Sequence, residues 1–427
     1  MKNPRFTAFK ALQDVERGEY IQDALRLGDL SERDRRLAEN IAYGTVQNQI
    51  YLDDVIDRYV TSPDKLKQNI RLLLRTALYQ MRFLDRVPDR AVVNESVELA
   101  KIISNRGAAG LVNGVLRAII RSKEEAFSID KEDEVERLSV RYSFPREWVV
   151  YFKALLKDDA EAFFKSTFRR AHVTLRPVRC DRDALKKALS EVGYELKDST
   201  VRTEAVEVLH PAGLFQTDAF KRGLFYVQDA SSQSVVDLFS DGEDAEALDL
   251  CAAPGGKSFQ MAERFRRVDA YDVSAKRLEV MKENIERLGY DNISTAVRDG
   301  RTPLPDKRYD RVLVDAPCSG LGLLRKKPEM KYRIAPEDLP HLAKSQRALL
   351  ENAYRALKED GELVYSTCTV TVEENEGVLA SFLADHPECR IAGKGVRYWP
   401  HRHDSDGFTM ARIVRKDTYA LDGNDAS

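Results

Sequence analysis

No stretch of this chain approaches the roughly 18 consecutive apolar residues that a membrane span requires. The first twenty residues hold no apolar core of a secretory leader, so neither a leader nor an anchor is expected. Cysteine is sparse and odd in number, five in 427 residues, which makes no disulfide framework and suits a reducing cytoplasm. Six histidines and no Cys-x-x-Cys grouping leave no metal-ligand spacing, and His401 with His403 do not make a site alone. An excess of one charge is missing too: 68 Lys and Arg face 70 Asp and Glu, for a net charge of −2. Bulk charge therefore announces no nucleic-acid binder, and any such contact must come from local patches. Repeats and low-complexity tracts are absent. What remains, 43% hydrophobic and 32% charged, is the composition of folded globular domains, two or three at this length.

Two local patches are candidates for RNA contact. One is Arg325-Lys-Lys-Pro-Glu-Met-Lys-Tyr-Arg333, with an aromatic among basic groups. The other is Lys165, Arg169, Arg170, Arg176 and Arg179. The alternative for each is an ordinary solvated surface.

Apolar residues recur at three- and four-residue spacing in Phe6, Phe9, Ala11, Leu12 and Val15, and again in Ile70, Leu73, Leu74, Ala77, Leu78 and Met81. That period predicts amphipathic helices, and few breakers interrupt residues 1–122, so an all-α bundle is expected there. The polar stretch 123–135 reads as a linker. Residues 136–215 mix helical and strand patterns and predict a small α+β domain. From 216 to 415 short apolar runs alternate with amphipathic helices. The runs include Ala247 to Leu250, Val268 to Val273, Ile293 to Val297, Arg311 to Asp315 and Glu362 to Ser366. Such alternation predicts an α/β domain with a parallel, doubly wound sheet, whose ligands bind beyond the carboxyl ends of the strands. Residues 416–427 read as a polar tail.

Three segments fall at those ends. The first, Cys251-Ala252-Ala253-Pro254-Gly255-Gly256-Lys257, is not a phosphate loop, because the required glycine five places before Gly256 is Cys251. The dinucleotide Gly-x-Gly-x-x-Gly pattern is absent as well. A tight turn and a helix start remain, where backbone N–H groups suit a carboxylate. A carboxylate joined to an adenosine is what S-adenosylmethionine presents. Asp272 ends the next strand, where an acid can accept from ribose hydroxyls, and Asp299 ends the third, where it could bond the adenine amino group. The alternative for both is a helix cap or turn former.

Cys318, in Asp315-Ala-Pro-Cys-Ser-Gly320, and Cys368, in Tyr365-Ser-Thr-Cys-Thr369, each follow a predicted buried strand. Isolated cysteines are often inert core residues, as Cys180 and Cys389 are expected to be. A pair of thiols beside a cofactor loop points instead to methylation of a pyrimidine carbon. Carbon 5 of cytosine is a poor nucleophile until a thiolate adds to carbon 6. The ring then needs an acid at its nitrogen, and a base or helper for release. Asp315 could hold or protonate that nitrogen, with Lys257 a neighbour.

In combination these segments, followed by Glu373-Glu-Asn-Glu376 and preceded by Val227-Gln-Asp-Ala-Ser-Ser232, resemble the Sun/Fmu (RsmB-like) family of RNA 5-methylcytosine methyltransferases. The likeness spans about residues 224–412, with Asp406-Gly-Phe near its end. The start, with Ala8 to Gly18, Asp34-Arg-Arg-Leu37 and Tyr43-Gly44, is similar to the NusB-like RNA-binding domain, which points to the bacterial branch acting on 16S ribosomal RNA. The resemblance implies a Rossmann-like methyltransferase domain, S-adenosyl-L-methionine as cofactor, and no metal. It implies Cys368 as nucleophile and Cys318 as helper in resolving the adduct, with Asp315 also catalytic. Cys251 to Lys257, Asp272, Arg277, Asp299 and Asp315 would line the cofactor site. A cytoplasmic monomer acting on RNA is expected. A tRNA substrate, or a non-catalytic RNA-binding protein of the antitermination type, is the competing reading; a pure binder has no need of both thiols.

Overall fold

The computed structural model describes residues 3–304 and 306–416. The expected tail lies outside them, apart from Lys416. The chain forms two compact units, one of residues 1–169 with 324–336, the other of residues 170–323 with 337–427.

The first unit is helical. Its helices include Pro4–Glu16, Glu32–Gln47, Gln49–Tyr59, Gln68–Phe83, Asp89–Ile103 and Arg106–Arg121. Side-chain caps start several of them. Asn3 accepts from the N–H groups of Arg5 and Phe6, Ser31 from Asp34, and Asn105 from Ala108. Each apolar stripe faces one core: Phe9, Leu12, Ile70, Leu73, Leu74, Ala77, Leu78 and Met81 are all buried. The unit runs on through the expected linker. Tyr51 donates its hydroxyl to Phe127 O at 2.8 Å and its N–H to Ser143 Oγ at 3.0 Å. Helices Arg146–Leu156 and Ala160–Ser166 then add Trp148, Phe152, Phe163 and Phe164 to an aromatic cluster around Phe144.

The stretch 324–336 corrects one expectation. The patch Arg325 to Arg333 is not a solvated RNA-facing surface but a strap embedded in the helical unit, with Arg325, Glu329, Met330 and Lys331 buried. Lys331 Nζ donates to the carbonyls of Gln47 and Tyr142 at 3.0 and 3.3 Å and lies over the rings of Phe144 and Tyr332. Burial pushes its pKa well below the lysine range. Tyr332 donates to Val46 O and Ser143 O, both at 3.0 Å, and Trp148 Nε1 donates to Ile334 O at 2.7 Å.

The second unit contains two sheets. The smaller is antiparallel, with strands β1 (Val173–Pro177), β2 (Leu196–Asp198), β3 (Val206–Val208) and β4 (Phe225–Val227) in the order β2-β3-β1-β4. Arg176, expected in the second patch, is buried on β1 and paired with Glu263 at 2.6 Å, so it is unavailable to a partner. The larger sheet comprises β5 (Glu246–Asp249), β6 (Arg267–Asp272), β7 (Ile293–Val297), β8 (Tyr309–Asp315), β9 (Leu357–Thr367), β10 (Cys389–Tyr398) and β11 (Phe408–Arg415). Their order is β10-β11-β9-β8-β5-β6-β7. Five strands run parallel as the β–α alternation predicts, while β11 pairs antiparallel with both β9 and β10. The sheet is therefore mixed at one edge. From β5 the chain builds outward through β6 and β7, then returns to place β8 on the other side of β5. The loops after β5 and β8 diverge at that reversal, the point where open α/β sheets bind ligands.

Candidate active site

The loop after β5 turns into helix Gly256–Ala262 through Gly255, whose φ is +113°. That left-handed angle requires glycine, and a Cβ there would meet the Phe259 ring at 2.2 Å. Below the loop, Ser258 Oγ donates to Asp249 Oδ2 at 2.6 Å. Burial raises Asp249 to about 7, the Ser258 bond offsetting part of that rise. Cys251 is pushed well above its ordinary pKa by the same burial.

Asp272, at the end of β6, is 3% exposed. One oxygen accepts from Ala253 N at 3.1 Å, the other from Ser274 N at 2.8 Å. Arg277 pairs with Asp272 at 3.4 Å and donates to Ala253 O, closing the loop onto the strand. Asp299, two residues beyond β7, is gripped by Arg301 through both carboxylate oxygens, Nε reaching Oδ1 at 2.9 Å and Nη2 reaching Oδ2 at 2.7 Å. Those bonds lower Asp299 to about 2. Asp272, Arg277 and the Cys251–Lys257 loop thus come together, and Asp299 stands on the next strand.

On the other side of the reversal, Asp315 ends β8. Its carboxylate accepts from Lys257 Nζ at 2.7 Å and from Ser366 Oγ at 2.8 Å, which joins the β5, β8 and β9 ends. Lys257 lies 4.9 Å from the Phe408 ring centroid. Strands β8 and β9 run parallel with Asp315 opposite Ser366, so Cys318 and Cys368 leave the sheet side by side. Their Sγ atoms are 3.3 Å apart and both thiols are free. The hydrogen bond to Cys368, then burial, raise Cys318 well above the ordinary thiol pKa.

The antiparallel β11 explains how the Cys368 loop is seated. Its amino end lies beside the carboxyl end of β9, which brings Gly407 to the loop. Gly322 N donates to Cys368 O at 3.1 Å and Gly407 N donates to Gly322 O at 2.8 Å. A Cβ on Gly322 would stand 2.0 Å from Gly407 O and 2.8 Å from Cys368 O.

Sequence reasoning assigned no role to Glu374 and Asn375, which the structure places at the base of both cysteine loops, both buried. They sit in a wide π-type turn, Glu373–Gly377, a distortion frequent at functional sites. Glu374 accepts from Ser319 N, Ser319 Oγ, Thr371 Oγ1 and Gln346 Nε2 at 2.8, 2.5, 2.7 and 2.9 Å. Asn375 accepts from Thr367 Oγ1 at 2.6 Å and donates to Thr371 O at 2.7 Å. The available signal was three acids crowded into Glu373-Glu-Asn-Glu376 beside a cysteine loop.

Known proteins match this chain over nearly its full length. Residues 237–414 match the family described as 16S rRNA methyltransferase RsmB/F, and residues 2–121 match the NusB family. A probable ribosomal RNA small subunit methyltransferase B of Bacillus subtilis (strain 168) is 34% identical over 93% of this chain and 94% of its own. The ribosomal RNA small subunit methyltransferase B of Yersinia pseudotuberculosis is 31% identical over 97% of this chain and 99% of its own. Among solved structures, PH0851 superposes with a TM-score of 0.83 at 26% identity, covering 96% of this chain and 99% of that one. The match in sequence along nearly the full length, in fold and in both domains means that this chain belongs to the RsmB/F family of 16S rRNA methyltransferases and carries a NusB-family domain ahead of the catalytic one.

Proposed function

We propose that this enzyme methylates carbon 5 of a cytosine in 16S ribosomal RNA, using S-adenosyl-L-methionine and a covalent bond between Cys368 and the base. One observation carries the reading: two free thiols 3.3 Å apart at the ends of adjacent parallel strands, beside a lysine–aspartate pair.

The residues on the β5–β7 side fit the cofactor. N–H groups at the start of helix Gly256–Ala262 suit its carboxylate. Asp272 Oδ1 accepts from Ser274 N and keeps a lone pair for a ribose hydroxyl, while Oδ2 is held by Ala253 N and Arg277. Val273 and Val297 are 65% and 58% exposed near Asp272 and Asp299, offering apolar surface to a purine. Cys251, Ala252, Ala253, Pro254, Gly255, Gly256, Lys257, Asp272, Arg277, Asp299 and Asp315 are the residues we assign to that site. When bound, S-adenosyl-L-methionine supplies an electrophilic methyl group on a sulfonium.

The chain's own residues do the rest. A cytosine reaches the thiols only unstacked, so a single-stranded or loop site is expected. Cys368, as thiolate, adds to carbon 6 while Asp315, hydrogen-bonded by Lys257, holds the ring nitrogen and its proton. The electron pair moved into the ring makes carbon 5 nucleophilic. After methyl transfer the carbon-5 proton passes to solvent, its bonding pair re-forms the C5–C6 double bond, and Cys368 leaves as thiolate, with Cys318 alongside assisting that release. We assign catalysis to residues 216–415, RNA contact to the helical start 1–122, and a cytoplasmic monomer as the working form.

The test uses purified protein, tritiated S-adenosyl-L-methionine and separate pools of unmodified 16S rRNA and tRNA, with nucleoside analysis. Label in 5-methylcytosine from 16S rRNA alone is expected. Label from tRNA overturns the substrate assignment. No label from 16S rRNA, naked or assembled into small-subunit particles, overturns the reading.

A further inference from the structure

Two sulfurs at 3.3 Å share a proton when one of them is ionised. Which sulfur keeps it decides which thiol attacks. The geometry around Glu374 supplies an answer that neither cysteine loop contains by itself. Glu374 is fully buried, and its carboxylate accepts four hydrogen bonds, from Ser319 N, Ser319 Oγ, Thr371 Oγ1 and Gln346 Nε2. Four donors saturate the two oxygens, as an ionised carboxylate requires. The Gln346 amide has one workable orientation, because its nitrogen lies between two acceptors, Glu374 Oε1 at 2.9 Å and Pro317 O at 3.0 Å.

All four partners are neutral. Asp315, the other carboxylate near the pair, is matched by Lys257 at 2.7 Å. Glu374 therefore presents a negative charge that no cation among the described residues pairs with, and its contact with the Ser319 backbone sets that charge one residue from Cys318. In a buried site such a charge acts with little screening. Tyr365 is a further ionisable group beside them, with Cys251 behind it, and its hydroxyl is engaged in donating to Glu374 O at 2.7 Å.

We propose that Glu374 is a positioning residue that clamps the Cys318 loop against the Cys368 loop and keeps the shared proton on Cys318, leaving Cys368 as the thiolate. The proposal rests on the methylation reading for its purpose, but it concerns the thiols alone and is measured without RNA. It gives the two cysteines different protonation states before substrate arrives. It also ties Gln346 and Ser319, which touch no reacting atom, to the choice of nucleophile.

The experiment is alkylation of each thiol by iodoacetamide from pH 5 to 10, with initial rates read at Cys318 and Cys368 by peptide mass spectrometry. The midpoint of each rate profile reports ionisation and is indifferent to how exposed each sulfur is. In the wild type the Cys368 midpoint should lie at least one pH unit below that of Cys318. Glu374→Gln, which keeps the shape and removes the charge, should close at least half of that gap. Glu374→Asp should restore most of it. A wild-type Cys318 midpoint at or below that of Cys368 overturns the proposal whether or not any variant folds, and so does an unchanged gap in a folded Glu374→Gln protein. If the methylation reading fails, RNA labelling is lost while the gap remains; if this proposal fails, labelling persists without the gap.

Discussion

A single methyl group added at Gly322 should disable the enzyme without touching a reacting atom. The Cβ of Gly322→Ala would stand 2.0 Å from Gly407 O, where real contacts do not fall below 3.0 Å, so one backbone must retreat by about 1 Å. The obstacle is main chain on two sides, Gly407 and Cys368, and cannot be relieved by rotating a side chain. Retreat strains two hydrogen bonds, Gly322 N to Cys368 O and Gly407 N to Gly322 O. At about 1 kcal/mol each for the bonds, with about 1–3 kcal/mol for overpacking, the variant should lose roughly 3–5 kcal/mol of stability. Because Cys368 moves with its carbonyl, turnover should fall on the order of 100-fold, the typical cost of a 1 Å misplacement. Cofactor affinity should stay near wild type, since Asp272 and Asp299 stand on other strands. Calorimetry, cofactor titration and single-turnover methylation separate the three quantities. Wild-type turnover in a protein of wild-type melting temperature would refute this account of how the Cys368 loop is held.

Three further outcomes follow from the same geometry. Cys368→Ala should abolish methylation with cofactor binding intact, while Cys318→Ala should accumulate a protein–RNA adduct that survives denaturing gels; turnover near wild type in either would refute the assigned role. Lys331 has a folded pKa well below its ordinary 10.5, so its unfavourable burial is fully present at low pH and fades as pH rises toward that value. Lys331→Met should erase this rise in stability between neutral and alkaline pH in urea titrations, and a slope equal to wild type would count against it. Asp299, lowered to about 2 from 3.8, contributes stability that is present above 3.8 and lost as pH falls through 2. Asp299→Asn should flatten acid unfolding across that window, by a small amount because the pair is partly exposed; an acid limb unchanged from wild type would show that the Arg301 grip contributes nothing.

The parts of the site that could be read in advance share one property: their signal is local. Apolar runs of strand length followed by Cys251, Asp272, Cys318 and Cys368 mark strand ends directly, and the sheet brings strand ends together. Strands β10 and β11, at the antiparallel side of the sheet, left no such mark, because Gly393 and Gly395 interrupt β10 where its register with β11 shifts, and only the four-residue helix Pro400–His403 separates the two. The basic segment 325–333 misled for a different reason. A lysine reads as solvated unless its partners are in view, and those of Lys331 are carbonyls 284 and 189 residues away. Arg176 is the same case, paired with Glu263 across 87 residues. Glu374 was visible as an acid in a motif, but its four donors come from three places in the chain, Ser319, Gln346 and Thr371, and only the fold assembles them.

The embedded strap also bears on the order in which the protein can be made. The helical unit counts Tyr332 among the residues packed on its core, and Trp148 waits for the carbonyl of Ile334. A nascent chain that has emerged as far as residue 169 therefore holds every long helix of that unit and still lacks the piece that fills it. Synthesis must continue through β5 to β8 before the strap arrives. The helical unit, made before β5 to β8, is thus finished only after them, and until then the place that Lys331 takes between Gln47 and Tyr142 is unfilled.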